Sequence, residues 1–151
     1  MTYPQVTESW AVATAENDGT PLVLRINRGA APLARHPAFG VQVGIAVPLN
    51  APDANGLPTA AEAEALGALE DALVGALHAD RLAQLVVVIT APGRRELVFY
   101  TRDSAAVPPR VRAVAERLRT HEVRLMQRDD PAWEVYRALG GDVDVDDTRT
   151  H

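Results

Sequence analysis

A chain of 151 residues, 47% of them hydrophobic, has enough material for one core of ordinary domain size, and its formal charge of −5 excludes the basic footprint that polyanion binders carry. Four of the acidic residues and one Arg fall in the closing stretch from Gly140 to His151, so residues 1–139 hold 16 acidic and 14 basic side chains and are close to neutral. The absence of cysteine excludes disulfides, thiol catalysis and thiolate metal sites.

All fifteen basic residues are Arg, and Ala is abundant, a pattern of coding bias more than of arginine chemistry. The opening "MTYPQVTESW" lacks the basic, apolar, small-residue order of a signal peptide, and no apolar run nears the roughly 20 residues that cross a bilayer. The expected setting is therefore the cytoplasm, with no membrane partner.

In "SWAVATAE", Trp10, Val12 and Thr14 alternate with Ala11, Ala13 and Ala15. After the turn signal "NDGTP" comes "LVLRIN", with Leu22, Leu24 and Ile26 on one side, which predicts an antiparallel hairpin. "RGAAPLARHPAFG" has Pro and Gly at intervals and reads as a loop, and "VQVGIAV" alternates Val41, Val43, Ile45 and Val47 with Gln42, Gly44 and Ala46 as a third strand.

Thr59 and Glu62 have capping-box spacing, and Leu66, Leu69, Leu73 and Leu77 form a helical stripe, so a helix is predicted over residues 59–79. "LAQLVVVITA" is apolar on both faces and therefore a central strand; "PGRRE" turns the chain and "LVFYTR" returns beside it. Val107, Val111, Val114 and Leu118 mark a second helix over 107–119, with Pro108 and Pro109 in its first turn. "EVRLMQR" is a last strand. In "DDPAWEVYRAL", Asp130 is placed to cap a helix whose first residue is Pro131. Residues 140–151 read as an acidic mobile tail behind a single domain over 1–139.

From residue 41 to 128 the order strand, helix, strand, strand, helix, strand is that of the ferredoxin-like split βαβ pattern, an α+β fold, here extended by the N-terminal hairpin and a short C-terminal helix. Right-handed crossovers put both helices on one face. The other face is then open to a protein partner or to a second copy of the chain.

The motifs of common chemistries are missing. His36, His78, His121 and His151 share no metal-ligand spacing, so no metal site is expected. Neither Ser9 nor Ser104 sits in a G-x-S-x-G setting, no glycine loop follows a strand to cradle phosphate, and no cofactor is implied. "DVDVDD", Asp142–Asp147, starts like a calcium loop but has Asp147 where Gly is required. Seven Arg between Arg102 and Arg128 lack interleaved aromatics and read as a solvated helix face, against nucleic-acid binding.

What remains is the open sheet face. Arg25 on the hairpin and Glu96 and Tyr100 on the returning strand are candidates for a polar binding patch there, with the small Gly44 and Ala46 leaving room for a ligand or for close packing. An Arg25–Glu96 ion pair on a solvated sheet is the simpler explanation. Trp133 and Tyr136, three apart on one helix face, close the core or anchor a partner; burial of large aromatics favours closure. No residue is assigned a catalytic role.

The conjunction of "GRRELVFYTRD" after an apolar strand, a leucine-striped helix ending "LEDALVGAL", and "DDPAWEVYRAL" resembles the domain of unknown function 695 family from about Trp10 to Leu139. The ending, Asp130, Pro131, Trp133 and Tyr136, is similar to that of the regulator of ribonuclease E activity type B family. The resemblance implies a ferredoxin-like α+β fold. The second family implies an acidic protein that inhibits a ribonuclease by binding it, and no catalytic role comes with the matched residues. The residues and the resemblance together point to a binding or regulatory module acting by protein contact. A small-molecule enzyme using Arg25, Glu96 and Tyr100 is the competing reading.

Overall fold

The computed structural model describes residues 3–17 and 19–140. Strands β1 (Trp10–Asn17) and β2 (Thr20–Asn27) form the expected hairpin around Gly19, whose φ is 79°. β3 (Val41–Pro48), α1 (Ala60–His78), β4 (Ala83–Ala91), β5 (Arg94–Thr101), α2 (Val107–Arg117), β6 (Arg124–Asp129) and α3 (Glu134–Ala138) follow. The readings of residues 141–151 as a mobile tail and of Asp142–Asp147 as a partial calcium loop lie outside the described residues.

Among the described residues six strands make one antiparallel sheet in the order β1-β2-β4-β5-β3-β6, and the fold is α+β. α1 carries the chain from β3 past β5 to β4, and α2 carries it from β5 past β3 to β6. Both helices lie on one face. There the leucine stripe Leu66, Leu69, Leu73 and Leu77 and the valine stripe Val107, Val111 and Val114 meet Val43, Ile45, Val47, Leu97 and Phe99 in one buried cluster. No helix among the described residues is long and apolar enough to cross a membrane.

The opposite face differs from expectation. It carries a second core, in which Leu24, Ile26, Val87, Val98 and Tyr100 of the sheet pack under Ala30, Leu33, Phe39, Trp133 and Tyr136. The cover is made of three short segments, the last of which carries α3, instead of long helices. Residues Arg28–Arg35, expected as a loop, form a 3-10 stretch whose start is capped by Asn27, the side-chain oxygen accepting from the Gly29 N–H. Its buried residues Ala30, Leu33 and Ala34 have the i, i+3, i+4 spacing of an amphipathic turn, interrupted by Pro32. The N-terminal residues are tied on by Arg81, whose guanidinium donates to the carbonyls of Tyr3 (3.1 Å) and Pro4 (2.7 Å).

β4 has a bulge at Val86, between the pairs Leu85–Phe99 and Val87–Val98. Bulges disturb the local ladder, and beside this one the Leu85 N–H donates to Nε2 of His78 at 3.1 Å. That bond needs a neutral imidazole, and burial pushes the His78 pKa down, with Glu8 opposing weakly. A folded pKa below the unfolded one means that the contribution is whole above the ordinary histidine range and is lost as pH falls through the depressed folded value. Melting temperature is therefore expected to drop between about pH 7 and 5, and to drop less for His78→Gln, whose amide oxygen accepts without titrating. Equal slopes for the two proteins would overturn the assignment.

Candidate functional site

The five residues singled out in the sequence do not form one site. Arg25 points to the helix side, because antiparallel register sets it beside Val88 and, beyond that, Leu97. Its guanidinium lies 3.6 Å from Glu70 of α1 and 5.8 Å from the Trp10 ring centroid. Glu96 points to the other face and pairs with Arg94 at 2.6 Å. An Arg25–Glu96 pair is thus ruled out by the sheet itself. Sequence alternation places residues correctly along one strand but leaves the register between strands undetermined, and one residue of slip exchanges the faces.

Tyr100 shares the face of Glu96 but is fully buried. Its ring stacks on Trp133 with centroids 4.0 Å apart and planes 8° from parallel, and Tyr136 meets the indole edge-on at 5.3 Å. The Tyr100 hydroxyl donates to Asp130 Oδ2 at 2.7 Å, and Asp130 also accepts the N–H groups of Glu134 (2.8 Å) and Val135 (3.1 Å). Burial pushes the Tyr100 phenol up, and its bond to the carboxylate adds to the shift. For Asp130 burial acts upward, but the bonds from Tyr100, Glu134 and Val135 and the charge of Arg128 outweigh it and hold the carboxyl below the usual aspartate range.

The family-like ending is therefore a latch. Asp130 caps α3 from four residues upstream, and Pro131 and Ala132 form a turn before the helix, not its first residues as the sequence suggested. Trp133 sits in the left-handed region (φ 54°, ψ 44°), which bulky side chains rarely enter. The indole holds it there: its Nε1–H donates to the Phe39 carbonyl at 2.7 Å, and no part of the side chain reaches solvent. The Tyr136 hydroxyl bonds the Asn27 carbonyl, joining the latch to β2.

Two surface features remain. The first is the part of the second face that the latch leaves bare, towards β6. Gly44, Ala46, Glu96, Arg124 and Met126 surround a hollow of about 250 Å³. The small residues of β3 do leave room, and Met126 is 61% exposed. Of the expected patch only Glu96 belongs here.

The second feature was not foreseen. Glu62, placed in a capping box, supplies only its backbone to that role: Thr59 Oγ1 accepts the Glu62 N–H, while the carboxylate turns to the loop after β3 and accepts the N–H groups of Asn50 and Ala51. It also lies 2.7 Å from Nε2 of His121, and both side chains are buried. The Asn50 N–H, with Ala51 and His121, outweighs burial and holds the Glu62 carboxyl low. His121 Nδ1 lies 3.0 Å from Thr120 Oγ1, at the wall of a crevice of about 520 Å³ that Asn50, Arg112 and Arg119 also line. Fifty-nine residues separate Glu62 from His121, and no local spacing could announce the pair.

Among the described residues no group of three His, Asp or Glu side chains is gathered to hold a metal ion. Comparison with curated proteins gives no match, and neither does comparison with solved structures. The chain belongs to the family whose model matches residues 8–139, the Family of unknown function (DUF695).

Proposed function

We propose that this chain is a cytoplasmic binding or regulatory module that works by protein contact, through the bare part of its second sheet face. The observation that carries the reading is the hollow at Gly44 and Ala46 beside the exposed thioether of Met126. An apolar floor with Glu96 and Arg124 at its edge has the apolar-centre, polar-rim make-up of a contact surface. β6 adds a free strand edge, where an extended segment of a partner finds backbone groups to pair with. The partner is another protein or a second copy of the chain. The competing enzyme reading needed Arg25, Glu96 and Tyr100 to converge, and their separation on opposite faces and in the core leaves it without support.

Ala46→Arg fills the hollow and Met126→Glu places a charge on its wall. Both are expected to abolish association, read by sedimentation for a second copy and by capture from the native cell for another protein, with melting temperatures close to that of the unmodified chain. Unchanged association in Ala46→Arg would sink the proposal.

A further inference from the structure

At the crevice beside α2 and the loop after β3, three side chains stand in a line running inward: the Thr120 hydroxyl, the His121 imidazole and, behind it, the Glu62 carboxylate, at 3.0 and 2.7 Å. Their protonation follows from the hydrogen bonds. Glu62 already accepts two backbone N–H groups, which favours its ionised form, so the nitrogen facing it, Nε2, carries the imidazole proton. In neutral His121 that leaves Nδ1 as the acceptor, and Thr120 Oγ1–H is the donor that meets it. The hydroxyl proton is then already directed at a base. Thr120 is an exposed residue lining the crevice, whereas His121 and Glu62 are buried, so the base is shielded behind it.

We infer that Thr120 is a nucleophile activated by His121 and positioned by Glu62, acting on carboxylic esters. Carboxylate, imidazole and hydroxyl in sequence are recognised as such a relay by geometry and role, whatever their order in the chain. Arg112 and Arg119 line the same crevice together with Glu116 and Glu122, so the lining charges balance and no charge is required of the ester. Thr120 Oγ1 forms a bond to the ester carbonyl carbon while its proton passes to His121 Nδ1, and the imidazolium is held by the Glu62 carboxylate. The carbon–oxygen bond to the alcohol breaks, and the alcohol leaves with the proton from Nδ1. Water then attacks the acyl-threonine, giving its proton to Nδ1, from which it returns to Thr120 Oγ1. The sum is ester plus water to acid plus alcohol. The crevice is separate from the hollow at Gly44, so this activity stands or falls independently of the binding reading.

The test uses the full chain with a fluorophosphonate probe, located by peptide mass spectrometry, and with 4-nitrophenyl acetate as the ester. The expected result is a label on Thr120 and turnover of the ester above its rate in buffer. Thr120→Val, an exposed change expected to keep the melting temperature, removes the label, and Thr120→Ser retains it. His121→Gln slows ester turnover about a hundredfold, the usual scale for loss of a general base. An unlabelled protein, a label on another residue, or turnover by Thr120→Val at the rate of the unmodified chain would each overturn the inference. Thr120→Val decides the matter even if His121→Gln fails to fold.

Discussion

Trp133→Ala is expected to lower the unfolding free energy by about 3 to 5 kcal/mol, the scale on which emptying a large buried aromatic site costs a protein. Three losses combine. The indole gives up its stack on Tyr100 and its edge contact with Tyr136, the Phe39 carbonyl loses its donor, and an alanine at φ 54° keeps the backbone strain without the burial that held it. A urea titration reads the effect, with Glu134→Arg, an exposed neighbour, as the control that stays close to the unmodified chain. If Trp133→Ala keeps its urea midpoint but loses a captured partner, the indole is an interface anchor and the latch reading is wrong.

Asp130→Ala comes next, at about 3 kcal/mol, because hydrogen bonds to a buried ionised group exceed neutral ones and the Tyr100 hydroxyl left behind is buried. The Tyr100 hydroxyl and the N–H groups of Glu134 and Val135 all lose their acceptor at once. The pH dependence has a definite sign. A carboxyl held below its unfolded pKa contributes stability in full above the ordinary aspartate range and loses it as pH falls through the folded value. The acid limb of a stability profile is thus expected to flatten in Asp130→Ala. An unchanged limb would mean that the network contributes little.

Periodicity made the sheet and the two long helices legible, since Leu66 to Leu77 and Val107 to Val114 repeat on one helical face and β3 alternates on one sheet face. The latch was half legible. Trp133 and Tyr136 read as core by size, but the left-handed turn at Trp133 has no local signature: it exists because the indole is gripped by Tyr100 and Phe39, 33 and 94 residues away. Arg25 and Glu96 were put together because strand alternation carries no register between strands. The Arg28–Arg35 cover was hidden by Pro32, which broke the pattern the eye follows, although Ala30, Leu33 and Ala34 kept the spacing. Glu62 and His121 were invisible as a pair, because what unites them is the crossover of α1 and α2 on one face.

The latch also bears on how the chain acquires its fold during synthesis. Synthesis runs from the N-terminus, and β3, next to the edge of the sheet, must wait for the edge strand β6, some 80 residues later, to gain its second neighbour. Until Asp130 to Tyr136 have emerged, Leu24, Ile26, Val87, Val98 and Tyr100 have no C-terminal cover. A nascent chain stalled before residue 130 therefore exposes an apolar sheet face to the ribosome surface and to chaperones, and loses that stickiness only when the last aromatic pair docks.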